Sequence, residues 1–181
     1  MKRDTHSAQL SAVPIPDRDH IQGPVDAPIK LVEYGDYECP YCGEAYPVVK
    51  AIQERLGKRL CFAFRNFPLA NSHPHAQHAA EAAEAAGEQG RFWEMHDLLY
   101  ENQEALEDED LVRYATGLGL DARRLISAIK AGAHASRIGE DFRSGARNGV
   151  NGTPSFFING VRYDGVTGLD ELLAALRAEA V

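Results

Sequence analysis

The chain has 181 residues, 44% of them apolar and 25% charged, and a formal net charge of −8. That length and balance predict one globular domain, or one domain carrying a large insertion, with enough apolar mass to form a core without disulfide staples. The acidic charge argues against nucleic acid as a partner, because no basic surface is available to displace counterions from a phosphate backbone, and it makes an anionic membrane surface an unfavourable dock.

In chain order, residues 1–28 read as a lead-in rich in Pro and Asp, with a short edge strand expected near Leu10 to Val13. Its basic start is not followed by the run of about 7–15 apolar residues that a secretory signal requires. No window offers the roughly 20 apolar residues of a membrane span. The expected location is therefore cytoplasmic, or extracytoplasmic if a signal has been trimmed away. The run Ile29 to Tyr37, "IKLVEYGDY", has the near-continuous apolar and β-branched character of a buried strand, broken at Gly35-Asp36.

A helix is expected next. Pro40 suits its first turn, Cys42, Tyr46, Val49, Gln53 and Leu56 recur at helical spacing, Pro47 should kink it, and Gly57 ends it. A second strand runs from Arg59 to Phe67 and stops at Pro68. From 70 to 149 the character is helical throughout. "HAAEAAEAAGEQG" is built of strong helix formers, and "RFWEMHDLLYENQ" carries Phe92, Met95, Leu98 and Leu99 at helical spacing. "DEDLVRYATGLG" and "DARRLISAIKAG" open on acidic caps and close on glycine, and "HASRIGEDFRSGARNGV" adds another helix. The stretch "TPSFFINGVRYDG" reads as a hairpin turning at Asn159-Gly160. A last helix should start at Thr167, where Thr167 and Asp170 form a capping-box pattern.

The chemistry concentrates in "DYECPYCGEAYP". Cys39 would stand at a helix N-terminus, where free N–H groups and the helix dipole favour an anion and lower a thiol pKa. Cys42, one turn in and on the buried side, would attack a mixed disulfide formed on Cys39 and release the substrate. Two rivals attend any Cys-x-x-Cys pair: two structural thiols, or half of a zinc site completed by His73, His75 or His78. No second ligand pair follows at regular spacing, so the expectation is no metal. Cys61, in "LCFAF", reads as a small apolar packing residue. Glu33, an acid inside an apolar strand, either faces solvent at the sheet edge or is buried with a raised pKa. Pro154 taken alone is a loop proline, for which a trans bond is the norm. Glu38, next to Cys39, should raise the Cys39 pKa and oppose the helix dipole.

Three of these features together resemble the DsbA-like branch of the thioredoxin superfamily, over about Ile21 to the C-terminus. They are Cys39-Pro40-Tyr41-Cys42 at a strand-to-helix turn, Thr153-Pro154 directly before the third strand, and the helical block inserted between a βαβ half and a hairpin half. The Pro-Tyr dipeptide itself is the one familiar in glutaredoxins. Pro47 also falls where that family kinks its active-site helix. The resemblance implies an α/β thioredoxin fold, βαβ plus ββα, with an inserted all-helical subdomain. Residues 1–28 would be the lead-in, 29–69 and 150–181 the thioredoxin-fold domain, and 70–149 the insertion. It further implies that Thr153-Pro154 is a cis peptide facing Cys39, and that Pro40, Tyr41, Thr153 and Pro154 form the substrate groove. Glu33 would be a buried acid that takes the proton of Cys42.

The function so implied is thiol–disulfide oxidoreductase. Its partners would be protein or small-molecule thiols and disulfides together with a separate redox partner. No cofactor beyond the Cys39–Cys42 disulfide is required. Two other classes remain open on this fold: a peptide-binding or chaperone module, and a glutathione-dependent transferase or isomerase. The intact cysteine pair argues against both.

Overall fold

The computed structural model describes residues 12–179. Five strands form one sheet in the order β1-β3-β2-β4-β5. They are β1 (His20–Gln22), β2 (Ile29–Gly35), β3 (Leu60–Asn66), β4 (Ser155–Ile158) and β5 (Val161–Tyr163). β2 and β3 run parallel, with Ile29 opposite Leu60 and Gly35 opposite Asn66, and the other pairings are antiparallel. The crossover between β2 and β3 is helix α1 (Pro40–Leu56), as a parallel pair requires. Between β3 and β4 lie α2 (Ala76–Gly87), α3 (Phe92–Glu101), α4 (Asp108–Gly117), α5 (Ala122–Ala131) and α6 (Ala135–Arg147), and α7 (Leu169–Ala178) closes the chain. This is the expected βαβ, helical block, ββα order.

Local chemistry explains most boundaries. Asp121 caps α5 by accepting from the Arg124 N–H at 3.0 Å, and Gly132 ends that helix with a left-handed φ of 60°. The hairpin turns on Asn159 and Gly160, with φ 48° and 86°, as a primed two-residue turn demands. Three expectations shift. The first strand is His20–Gln22, whereas Ala12 and Val13 lie in irregular chain and Leu10 and Ser11 fall outside the described residues. The last helix begins at Leu169 with Gly168 as its cap, so Thr167 and Asp170 form no capping box. The buried stripe of α1 is Cys42, Ala45, Val49, Ile52 and Leu56, while Gln53 turns aside to donate to the Gln22 side chain at 2.6 Å.

Strand alternation sends side chains to two cores. One face of the sheet, with Ile29, Leu31, Phe62, Phe64, Phe156 and Ile158, packs on α1, α7 and the helical block in a continuous apolar cluster. The other face, with Val32, Tyr34, Ala63 and Phe157, forms a smaller cluster under α6, where the Tyr34 hydroxyl meets Ser144 Oγ at 2.9 Å. On that second face Arg65 is fully buried, paired with Asp19 at 2.8 Å and donating to the Tyr34 hydroxyl at 2.7 Å. Arg18 pairs with Asp141, which also holds Arg137 within α6, so the residues before β1 are tied to α6 by the Arg18 ion pair. Helix α2 is buried nearly all round, which a run of alanines permits. Its two buried acids are satisfied. Glu84 meets His20 at 2.9 Å and Asn66 at 2.7 Å, and Glu81 accepts the His134 N–H at 2.9 Å.

Candidate functional site

Strand β2 ends at Gly35, the chain turns through Asp36–Glu38, and α1 begins at Pro40 with Cys39 as its N-cap. The two cysteines are free thiols here. Cys42 is fully buried, and Cys39 keeps 3% of its surface. Pro40 and Tyr41 between them are exposed, Tyr41 by 68%. The Thr153-Pro154 bond is cis, and the Cys39 thiol donates to the Thr153 carbonyl at 3.4 Å. Thus Cys39, Cys42, Thr153 and Pro154, chosen from distant parts of the sequence, are brought together.

The two thiols are electrostatically unlike. The Cys39 pKa is lowered to about 5. The leading cause is a hydrogen bond from Cys42, which burial opposes, with the Thr153 side chain and the Cys42 and Tyr41 N–H groups adding to it. Cys42 is pushed well up, chiefly by burial, then by its bond to Cys39 and by the nearby Glu33. At neutral pH one thiol is an anion and the other holds its proton, which is the polarisation that disulfide exchange needs.

Glu33 settles on the buried side of its two alternatives. It is 2% exposed on the α1 face of β2, and burial raises its pKa to about 8. Its Oε1 has no hydrogen-bond partner among the described residues.

The surrounding acids and histidines pair with one another. Asp36 is buried and accepts from the Glu38 N–H, the Leu69 N–H and His73 Nδ1, each at 2.8 Å. Glu38 binds the His75 N–H at 2.6 Å and His75 Nδ1 at 2.8 Å. Its carboxylate is therefore bound to His75, and Glu38 is not among the leading influences on Cys39, whose pKa is lowered overall. His78 pairs with Asp108 at 2.6 Å. The three histidines go to carboxylates, and among the described residues no group of three or more metal-ligating side chains converges.

Sequence reasoning missed two contributors from the helical block. Gln103, after α3, donates through Nε2 to the carbonyls of Tyr37 at 2.8 Å and Cys39 at 2.9 Å. A side chain at Gly43 would collide with the Gln103 carboxamide, so the glycine in "CGEAY" makes room for it. His96 sits in an aromatic cage, with Nδ1 at 3.0 Å from the Tyr37 hydroxyl, and burial lowers its pKa to about 3. Gly43, a glycine inside the α1 pattern, is the signal in the sequence that marks a close neighbour here.

Comparison with known proteins agrees with this geometry. The family model Thioredoxin_4, described as Thioredoxin, matches residues 16–178. A thioredoxin-like oxidoreductase from Silicibacter pomeroyi DSS-3 superposes with a TM-score of 0.82 at 26% identity, covering 100% of this chain and 99% of that one. Oxidised BdbD from Bacillus subtilis superposes with a TM-score of 0.84 at 23% identity, covering 93% and 96%, a likeness of fold. The Na(+)/H(+) antiporter NhaA 1 of Salinispora arenicola (strain CNS-205) is 48% identical over 165 residues, which are 91% of this chain and 25% of that protein. The chain spans about a quarter of the length of the curated relatives it matches.

Proposed function

This chain belongs to the thioredoxin family, and from that premise we propose that it is a DsbA-like thiol–disulfide oxidoreductase working through Cys39 and Cys42. The observation that carries the reading is the contrast between the neighbouring thiols, one lowered to about 5 and the other raised by burial. A peptide-binding module has no use for that contrast. A transferase needs only one nucleophile.

In the proposed reaction the Cys39 thiolate attacks a sulfur of a substrate disulfide. A Cys39–substrate disulfide forms, the substrate S–S bond breaks, and the first substrate thiolate leaves. Glu33, once it has released its own proton to solvent, takes the Cys42 proton, and the Cys42 thiolate attacks Cys39 Sγ. The Cys39–Cys42 disulfide forms, the second substrate thiolate departs and takes a proton from solvent, and two electrons have passed to the substrate. Run backwards, the same steps oxidise a dithiol. Thr153 and Pro154 border the Cys39 sulfur, and exposed Pro40 and Tyr41 offer the surface on which a substrate chain would lie. In this reading residues 29–69 and 150–181 carry the chemistry, and 70–149 brace it from one side.

The test is equilibration with glutathione buffers followed by alkylation of free thiols. A potential above about −230 mV, toward about −120 mV, is expected from so acidic a thiol and would assign the protein to an oxidising compartment. A value near or below −230 mV would make it a reductase suited to the cytosol. Failure to form any reversible Cys39–Cys42 disulfide would overturn the reading.

The curated relatives favour a narrower partner. In them a region like this chain is part of a polypeptide named as a Na(+)/H(+) antiporter. Shared polypeptides bring their parts to high effective concentration, so the reading extends to a cation antiporter as an exchange partner. A Cys42→Ser trap that yields mixed disulfides with other proteins of the source cell and never with an antiporter would reject this extension.

A further inference from the structure

We propose that Tyr100 is a positioning residue for the Cys42–Glu33 pair, its hydroxyl supplying a hydrogen bond to the negative charge that appears there during exchange. The proposal rests on the oxidoreductase reading above.

Tyr100 lies in the last turn of α3, is 6% exposed, and its hydroxyl is buried without a hydrogen-bond partner among the described residues. Its ring is caged by Tyr37, His96, Tyr46 and Phe64, with centroids at 4.9, 5.0, 5.4 and 6.2 Å. The cage aims the hydroxyl at Gly35. A methyl group there would lie 2.7 Å from the Tyr100 oxygen and 2.5 Å from the Phe64 ring, so only glycine admits it. Gly35 shares a face of β2 with Glu33, two residues earlier. It also precedes Asp36, whose N–H points at Cys42 Sγ from 3.5 Å. The hydroxyl thus reaches the strand between the two groups that exchange a proton.

Glu33 Oε1 is a second buried polar atom without a partner. Two such atoms along one short stretch of strand call for an explanation, because buried polar groups are nearly always paired. The titratable groups acting on Tyr100 are Cys42, Glu33, Tyr37 and Asp36, with His96 and Tyr46 in ring contact. Burial, then the fields of Cys42 and Glu33, hold the phenol well above its usual range, so it keeps its proton and can donate. While Cys42 and Glu33 are both protonated, that donor faces no anion. Once Glu33 has lost its proton to solvent, one negative charge rests on its carboxylate and passes to the Cys42 sulfur as the carboxylate takes the thiol proton, and the O–H gains an acceptor. A donor already aimed at charge that develops only during reaction favours the transition state over the resting state. Tyr100 itself gains and loses no proton or electron.

Tyr100→Phe removes only the hydroxyl. The reduced protein is mixed with oxidised glutathione, quenched with acid at intervals, alkylated and weighed by mass spectrometry, which separates glutathione capture by Cys39 from its release by Cys42. We expect capture at the wild-type rate. Release should be about tenfold slower, the scale of one hydrogen bond to a charged group, with its pH midpoint moved upward and thermal stability undiminished. Release at the wild-type rate, or equal slowing of both steps, would overturn the role of Tyr100 while leaving the oxidoreductase reading intact. A wild-type protein that never captures glutathione and forms no disulfide would overturn both.

Discussion

The side-chain amide nitrogen of Gln103 lies 2.9 Å from the Cys39 carbonyl oxygen and 2.8 Å from that of Tyr37. One residue of the helical block thereby holds the turn that presents the reactive thiol. Gln103→Ala should lower stability by about 1–2 kcal/mol, the net worth of two ordinary hydrogen bonds. Gly43→Ala forces the same carboxamide aside, so its cost should shrink when Gln103→Ala is already present. Denaturant titration of the two single variants and the double variant measures that coupling, and strict additivity would remove the clamp from the account.

Cys39→Ser should abolish disulfide exchange with any substrate. Cys42→Ser keeps the nucleophile and removes the group that resolves the adduct, so covalent adducts should accumulate on Cys39. Mass spectrometry after incubation with a disulfide peptide decides this. Unmodified Cys42→Ser protein would sink the division of roles.

Cys39 alkylation by iodoacetamide should titrate with a midpoint near 5 rather than the ordinary thiol value of 9.0. A folded-state pKa below the unfolded value stabilises the reduced form. That stabilisation is complete above about 9, shrinks as pH falls, and is gone once pH drops through about 5. The stability of the reduced protein relative to the oxidised protein should therefore fall as pH drops from 7 toward 5. Urea unfolding of both forms at several pH values reads it, and a margin independent of pH would contradict the assignment.

Glu33 has the opposite sign. Its folded pKa of about 8 lies above the ordinary carboxyl value of 4.5, so the folded chain holds a proton that the unfolded chain has released between these values. Stability accordingly falls as pH rises from about 4.5 to about 8 and is level beyond. Glu33→Gln should remove most of that slope and raise stability at pH 8 by several kcal/mol, while slowing release of substrate from Cys39. Unfolding measured at pH 5 and pH 8 checks the first effect. Identical slopes in variant and wild type would refute a buried ionisable Glu33.

On the far face, Asp19→Ala would strip Arg65 of its main counter-charge in a fully buried position. A cost of about 3–5 kcal/mol is expected, as for other buried ion pairs broken on one side. Thiol reactivity should be untouched, because the sheet stands between. A loss under 1 kcal/mol in calorimetry or denaturant titration would show that the pair does little.

Features carried by neighbouring residues were legible in the sequence. The Asp121 cap, the Asn159-Gly160 turn and the helix-start position of Cys39 follow from chemistry within a few positions, and all appear in the fold. Thr153-Pro154 was readable only through family resemblance, since nothing local distinguishes it from a loop proline. Gln103, Tyr100 and His96 were not readable as neighbours of the site. Each becomes one only when the helical block closes on β2 and α1, and no periodicity in "RFWEMHDLLYENQ" encodes what lies opposite its polar groups. The burial of Glu33 depended likewise on which strands flank β2. A central position between β3 and β4 leaves its side chain no edge to escape over.

Cys61 alternates with Leu60 and Phe62 on β3, so it points away from the face that carries Cys42. An unbroken hydrogen-bonded sheet stands between the third thiol and the reactive pair. A folded molecule therefore has one intramolecular pairing open to it, and Cys61 keeps no record of how many redox cycles the other two have run. Fidelity of pairing here is a property of the partition and needs no proofreading. It would end at the temperature where the sheet opens, and disulfide-scrambled chains joined through Cys61 would be the first chemical sign of unfolding.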